Sequence, residues 1–320
     1  MEGRFLYLKG TNMKKVFIDG REGTTGLKIF ERFANRDDLT ILTLSDDKRK
    51  DPDARAQMIN ESDITFLCLP DAAASESAML CTNPSTVIID ASTAHRTDPE
   101  WSYGFPELSE KHRENIKNGK RIAVPGCHAS GFISLCYPLR SAGILPSDYP
   151  IVCYSLTGYS GGGKKMIADY ENDDRDVALD SPRQYGLTQK HKHLREMKYV
   201  CSLDFEPIFS PIVADYIQGM QVSIPLYSHL LNKKMGVKEM HEFFSEYYKN
   251  QKMVEVLPLS DASFLPSNTY ANDSKMYIFI GGNDDRILLA SNFDNLGKGA
   301  SGAAVQCMNI VCGLDEDLGL

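Results

Sequence analysis

The sequence predicts an α/β protein, with a doubly wound, mainly parallel sheet in its first half and an α+β arrangement in its second. Three observations carry that reading. From "KKVFIDG" to "TVIIDAS", short and near-continuous apolar runs alternate with helical stretches, as expected of strands covered on both faces by helices. A glycine-rich turn, "DGREGTTG", follows the first run and opens the first helix. Beyond "IVCYSLTGYS" the runs lengthen, and one pair, "KMYIFI" and "RILLASNF", is joined by "GGNDD", a hairpin turn.

Taken in order, "KKVFIDG" is a strand and "LKIFERFAN" a helix with Leu27, Phe30 and Phe33 on one face. "LTILTLS" is the next strand, "DARAQMIN" a short helix, "DITFLCLP" a strand, "DAAASESAMLC" a helix and "TVIIDAS" a strand. This βαβαβαβ rhythm implies a doubly wound sheet with right-handed crossovers. In "RIAVPGCHASGF" an apolar run stops and a helix begins at Cys127. That helix places Phe132, Leu135, Cys136 and Leu139 at helical spacing, with Gly143 as its C-terminal cap. Pro138 is expected to kink or shorten it. "IVCYSLTGYS", "SPIVADYIQGMQVSIPL" and the hairpin pair read as strands of a mixed or antiparallel sheet. "GVKEMHEFFSEYYKN" is an amphipathic helix with Val237, Met240, Phe244 and Tyr247 on one side. "GKGASGAAVQCMNIVCG" is a helix of small residues suited to close packing, and residues 1–12 read as a peripheral extension.

Composition narrows the function. A chain of 320 residues has room for two domains, and 42% hydrophobic with 24% charged residues is ordinary for a soluble globular protein. A net charge of -8 argues against a nucleic-acid binder. No run has the length of a membrane span, and the first residues lack the apolar core of a secretory signal. The eight cysteines are scattered, with no C-x-x-C pair. This disfavours zinc and disulfide scaffolds and favours a reducing, cytoplasmic compartment.

Four stretches can carry chemistry. In "DGREGTTG", Gly20, Gly23 and Gly26 are spaced G-x-x-G-x-x-G, with Thr24 and Thr25 between the last two. A strand-to-helix turn of this kind lets backbone approach a pyrophosphate at a helix N-terminus. The next strand ends in "TLSDDKRK". Ser45 stands where an NAD-preferring fold has an acid, followed by Asp46, Asp47, Lys48, Arg49 and Lys50. A serine beside a basic cluster suits the extra phosphate of NADP; a solvated turn of mixed charge is the other reading. Cys127, at a helix start, has the setting of a thiol with a lowered pKa and of an oxyanion site. "YGLTQKHKHLRE" offers His191, His193 and Glu196. Its H-x-H-x-x-E spacing has no further ligand cluster to make a metal site, so the histidines read as proton acceptors for a thiol or as solvated surface. If "HKH" is extended, only one of its histidines faces the thiol. His193, three residues before a possible orienting partner in Glu196, is the first choice. Two lesser loops, "DASTAHRTD" with Ser92, Thr93, His95 and Arg96, and "GYSGGGKK" with Lys164 and Lys165, suit an anionic substrate or are plain polar loops.

Taken together, "DGREGTTGLKI", "DASTAHR", "YGFPEL", "VPGCHASGF", "GYSGGGKKMI" and "NLGKGASGAAVQ" resemble, in order, the shorter second type of the N-acetyl-gamma-glutamyl-phosphate reductase family. The resemblance covers Met13 to the C-terminus. It implies a Rossmann-type domain plus an α+β substrate domain of the semialdehyde dehydrogenase kind. The implied division is 13–126 with 297–320 for the dinucleotide and 127–296 for catalysis and substrate. It further implies NADP as cofactor, an acyl phosphate as substrate, Cys127 as nucleophile and the catalytic histidine within H-x-H-x-x-E. Cofactor contacts are expected from Gly20, Gly23, Thr24, Thr25, Gly26, Ser45, Lys48, Arg49 and Asn295. Substrate contacts are expected from Ser92, Thr93, His95, Arg96 and Glu196. The first type reads "NPGCYAT" and "HRHxPE" where this chain has "VPGCHAS" and "HKHLRE". No metal, nucleic-acid or membrane partner is expected, and a homo-oligomer is. The rivals are aspartate-semialdehyde dehydrogenase, another acyl-phosphate reductase, a non-catalytic NADP-binding redox sensor and a cysteine hydrolase.

Overall fold

The computed structural model describes residues 13–320, so the expected N-terminal extension lies outside the described residues. The chain opens with β1 (Lys14–Asp19), α1 (Thr24–Phe33), β2 (Leu39–Leu42), α2 (Pro52–Glu61), β3 (Ile64–Leu67), α3 (Asp71–Met79) and β4 (Val87–Asp90). It continues with β5 (Ser102–Tyr103), α4 (Glu110–Asn118) and β6 (Arg121–Ala123). These strands form one parallel sheet in the order β2-β1-β3-β4-β6-β5. Alternate residues serve its two faces. Val16, Ile18, Phe66 and Ile89 pack with Ile29 and Phe33 of α1 on one side. Phe17, Leu67 and Ile88 pack with Ile59 of α2 and Ala74 of α3 on the other. Both sides being buried explains why the strands read as unbroken apolar runs. The buried face of α1 is Gly26, Ile29 and Phe33. Leu27, expected on that face, is exposed, because the buried stripe passes through Gly26 and Ile29, each one residue before the expected Leu27 and Phe30.

After α5 (Cys127–Ser141) come β7 (Val152–Gly158), α6 (Gly163–Tyr170), β8 (Arg183–Gln184), α7 (Lys192–Val200), β9 (Ile208–Ala214) and β10 (Met220–Tyr227). Then follow α8 (Val237–Tyr248), β11 (Val254–Val256), β12 (Met276–Gly282), β13 (Arg286–Phe293) and α9 (Gly302–Val311). The strands make a mixed sheet in the order β11-β12-β13-β10-β7-β9-β8. The stretch expected as one strand, "SPIVADYIQGMQVSIPL", divides into β9 and β10, which lie on either side of β7, through a turn closed by Gly219 at φ 109°. Phe132, Leu139, Met197, Phe244 and Tyr248 from α5, α7 and α8 cover one face of this sheet. Tyr154, Ile208, Tyr227 and Leu288 stand exposed on its strands. In α8 the fully buried tyrosine is Tyr248 rather than Tyr247.

Two features of α5 position the site. Pro138 does not shorten it: the helix runs on to Ser141. Proline leaves the carbonyl four residues back without its usual donor, and the Tyr248 hydroxyl donates to that Ser134 oxygen at 2.7 Å. The end is a Schellman cap at Gly143, φ 67°, with Gly143 N–H to Arg140 O at 3.0 Å and Ile144 N–H to Leu139 O at 2.9 Å. Helix α9 returns to the first sheet, where Ala304, Val305, Cys307 and Met308 join the core of β1, β3, β4 and β6. It is preceded by a wide π-type turn, Gly297–Ser301, that lies against Cys127.

Candidate active site

Residues of both sheets' connections meet around a cavity of about 450 Å³. Cys127 is the first residue of α5, after Gly126 as N-cap, and it lines this cavity with Arg96, His128, Tyr185, His191, Lys192 and His193. A β-carbon at Gly126 would collide with the Arg96 guanidinium and the Nε2 edge of the His193 ring. Only glycine lets those two side chains close around the cysteine turn.

The turn is anchored from below by Glu196, which is 2% exposed. Its Oε1 accepts from the Gly126 backbone N–H at 2.9 Å and from the Tyr103 hydroxyl at 2.8 Å. Its Oε2 accepts from Arg96 Nη1 at 3.1 Å. Arg96 also donates through Nε to Val124 O at 2.8 Å and through Nη2 to Ala91 O at 3.1 Å. This corrects two expectations for Glu196. It does not orient His193, whose Nδ1 has no partner among the described residues. It is also absent from the cavity wall, since protein donors take both its oxygens.

The "HKH" stretch is not extended. His191 is the N-cap of α7, its Nδ1 accepting the His193 backbone N–H at 3.2 Å. The helical turn therefore brings both rings to the cavity, 4.8 Å apart and edge to face. Burial, helped by Lys192, brings His191 down to about 4. Burial, then Arg96 and the neighbouring histidines, holds His193 well below the ordinary imidazole range. Both are neutral at physiological pH. The Cys127 thiol, expected to be lowered, is raised. Burial outweighs the His128 backbone N–H, Arg96 and Lys192, which all favour the thiolate.

Of the polar side chains of "DASTAHR" expected to bind an anion, Arg96 alone lines the cavity. Ser92 Oγ donates to Asp90 Oδ2 at 2.7 Å, and His95 Nδ1 meets the same oxygen at 2.7 Å while its ring stacks on Trp101. Thr93 is held by Asp71 through backbone and hydroxyl. Internal carboxylates thus take the groups expected to bind an anion, and Ser92, Thr93 and His95 shape the loop that presents Arg96. Gly161, Gly162 and Gly163 line the cavity, whereas Lys164 and Lys165 are exposed outside it. Asn295, 1% exposed, lies in the wall and ties two loops, accepting from Gly219 N–H at 2.8 Å and donating to Ser160 Oγ at 3.0 Å.

Sequence reasoning passed over His128. It is 4% exposed, with Nδ1 2.6 Å from Ser155 Oγ and Nε2 2.7 Å from the Tyr185 hydroxyl. The available signal was a histidine in the first helical turn beside the cysteine.

Gly23, Thr24 and Thr25 form another wall of the same cavity, at the N-terminus of α1, which no side chain caps. Gly20 sits at φ 86°, and a β-carbon there would run into the Cys68 carbonyl. Gly26 is buried against the same turn. The turn is thus a bare backbone cradle with free helix N–H groups, which fits a dinucleotide pyrophosphate. It separates the first cavity from a second of about 460 Å³, walled by Gly20, Arg21, Leu44, Asp46, Asp47, Arg49, Lys50 and Leu69. Leu69 borders both. Arg49 faces this second cavity but is shared with Glu22 at 3.7 Å and Asp46 at 3.4 Å. Ser45 and Lys48, expected beside Arg49, are exposed and lie outside the wall because β2 already ends at Leu42. No cluster of three or more His, Cys, Asp or Glu among the described residues is arranged to hold a metal. No helix among them is long and apolar enough to cross a membrane.

Two family profiles match the chain. One is described as semialdehyde dehydrogenase, NAD binding domain, over residues 50–118, and the other as semialdehyde dehydrogenase, dimerisation domain, over 127–295. Among curated proteins, N-acetyl-gamma-glutamyl-phosphate reductase 2 of Nostoc sp. is 43% identical over 97% of this chain and 100% of its own length. The reductase of Burkholderia ambifaria is 42% identical over 93% of this chain and 96% of its own. That of Brucella canis is 44% identical over 93% and 99%. Among solved structures, aspartate semialdehyde dehydrogenase II of Vibrio cholerae superposes with a TM-score of 0.71 at 15% identity, over 94% of this chain and 99% of that one. The Candida albicans aspartate semialdehyde dehydrogenase with NADP gives 0.66 at 15% identity, over 94% and 99%.

Proposed function

The chain belongs to the N-acetyl-gamma-glutamyl-phosphate reductase family, and from that premise we propose that it reduces N-acetyl-gamma-glutamyl phosphate to N-acetyl-glutamate semialdehyde and phosphate with NADPH, in arginine biosynthesis. One observation carries the reading: Cys127, His193 and Arg96 share a cavity with the bare N-terminus of α1. Cys127 Sγ bonds to the acyl carbon while phosphate leaves with the electron pair of the carbon–oxygen bond, giving a thioester. Thiol and imidazole both rest uncharged, so the thiol proton moves to His193 as the carbon–sulfur bond forms. Arg96, with N–H groups left over from its three protein contacts, and Lys192 offset the charge of the departing phosphate. Gly23, Thr24 and Thr25 at the α1 N-terminus would hold the pyrophosphate of NADPH, which would supply the hydride for the acyl carbon. His193 returns the proton as the carbon–sulfur bond breaks and the aldehyde departs.

Arg49 and Lys50 on the second cavity support NADP over NAD. The match to a dimerisation domain and the open face of the second sheet support a homo-oligomer. Eight free cysteines support a reducing, cytoplasmic setting. The test is phosphate-dependent reduction of NADP by the purified protein with each aldehyde. Turnover with N-acetyl-glutamate semialdehyde and little with aspartate semialdehyde is expected; the reverse preference overturns the assignment.

A further inference from the structure

Ser155, His128 and Tyr185 form a hydrogen-bonded chain whose direction follows from counting protons. Burial, with His191 and Lys192 beside it, brings His128 down to about 3, so the ring is neutral and carries one N–H and one lone pair. Ser155 is fully buried, and His128 Nδ1 is its hydroxyl's one partner among the described residues. If Nδ1 carried the proton, the serine hydrogen would be buried without an acceptor, at a cost of about 1–3 kcal/mol. Ser155 therefore donates to Nδ1, the ring proton sits on Nε2, and Nε2–H donates to the Tyr185 oxygen at 2.7 Å. That leaves the Tyr185 hydroxyl hydrogen uncommitted. Tyr185 lines the Cys127 cavity, and its hydroxyl has no other hydrogen-bond partner among the described residues.

The backbone holds this arrangement in place. Tyr185 follows the edge strand β8, its N–H bonded to Pro211 O at 3.0 Å, and His128 follows Cys127 in the first turn of α5. The middle of the chain, His128, is thus tied to the nucleophile's helix, and one end, Tyr185, lines the same cavity as Cys127. Burial, together with the nearby Cys127 thiol, pushes the Tyr185 hydroxyl up, so it keeps its proton throughout the working pH range.

We propose that Tyr185 is a catalytic hydrogen-bond donor to the acyl oxygen of the substrate on Cys127, and that His128 and Ser155 are positioning residues that fix it as donor rather than acceptor. The proposal rests on the acyl-transfer reading of the site. A neutral donor strengthens as its acceptor gains charge, so its effect falls mainly on kcat.

Two measurements test it. In the free enzyme, 15N NMR of the histidine rings, with His128→Asn to assign the signal, is expected to show His128 protonated at Nε2 and bare at Nδ1. A proton on Nδ1 overturns the proposal whatever the substrate proves to be. In the wild-type reaction, Tyr185→Phe is expected to lower kcat about 10²-fold with little change in KM or NADPH dissociation. Ser155→Ala is expected to lower kcat less, with partial loss of the Nε2 signature. A Tyr185→Phe enzyme with kcat within twofold of wild type overturns the donor role even if the tautomer is as stated. Failure of the acylation reading itself would show instead as no turnover in the wild-type protein.

Discussion

The floor beneath Cys127 and the rim of the second cavity are both rich in charged groups, but they are built on different principles. Under the cysteine every charge is buried and spoken for: Glu196 takes Gly126, Tyr103 and Arg96, and Arg96 takes two backbone carbonyls besides. On the rim, Arg49 is about half exposed and its contacts to Glu22 and Asp46 are long. Buried pairs cost several kcal/mol to break from one side, whereas exposed ones contribute a fraction of that. The first region therefore fixes geometry, and the second tunes affinity.

Substitutions should separate the two regions by size of effect. Cys127→Ser is expected to abolish turnover, a fall of at least about 10⁴-fold, while NADPH still binds; fluorescence titration of the variant checks the second half. His193→Asn should lower kcat by roughly 10²–10⁴ and slow iodoacetamide labelling of Cys127. In the wild type that labelling should keep rising beyond pH 8.5, about the value of a free thiol, because burial raises this one. A plateau below pH 7 would mean the thiolate is already formed. Glu196→Ala removes one side of a buried pair and should cost about 3–5 kcal/mol of stability, read as a lowered urea midpoint.

Acid should act on the same floor. His128, His191 and His193 are all depressed by burial. The unfolded chain binds protons below about pH 6.5 that the folded one refuses, so their contribution is full above that value and is lost as pH falls towards the folded values. Each contributes a slope of up to about 1.4 kcal/mol per pH unit. Urea midpoints measured at pH 7 and 5 should fall in the wild type and fall less in His128→Asn; equal midpoints would contradict the burial argument. The smallest effect belongs to the rim. Arg49→Ala should weaken NADPH binding about tenfold or less and leave NADH binding unchanged, because the side chain is exposed and already shared.

The same contrast explains what could be read in the sequence. The doubly wound half was legible because strands buried on both faces leave unbroken apolar runs, and the cysteine turn because proline and glycine mark it. Partners were not legible. Glu196 lies three residues from His193 in sequence, yet it bonds Gly126 and Arg96, which only the folded chain brings near. Ser92 and His95 belong to a motif that suits an anion, but Asp90 takes them both. The argument that one ring alone faces the thiol holds only for an extended "HKH"; His191 caps a helix instead, and both rings reach the cavity. His128 stood beside the cysteine, but its meaning depends on Ser155 and Tyr185, each far away in sequence.

The account's central claim is that Cys127 carries the acyl group, held by the buried floor. The most direct measurement mixes the enzyme with the acyl phosphate without NADPH, quenches in acid, and follows released phosphate and the masses of proteolytic peptides. The account predicts about one phosphate per active site and an acyl group on the Cys127 peptide, absent in Cys127→Ser. An acyl group on another residue, or reduction upon later NADPH addition with no prior phosphate release, would contradict it.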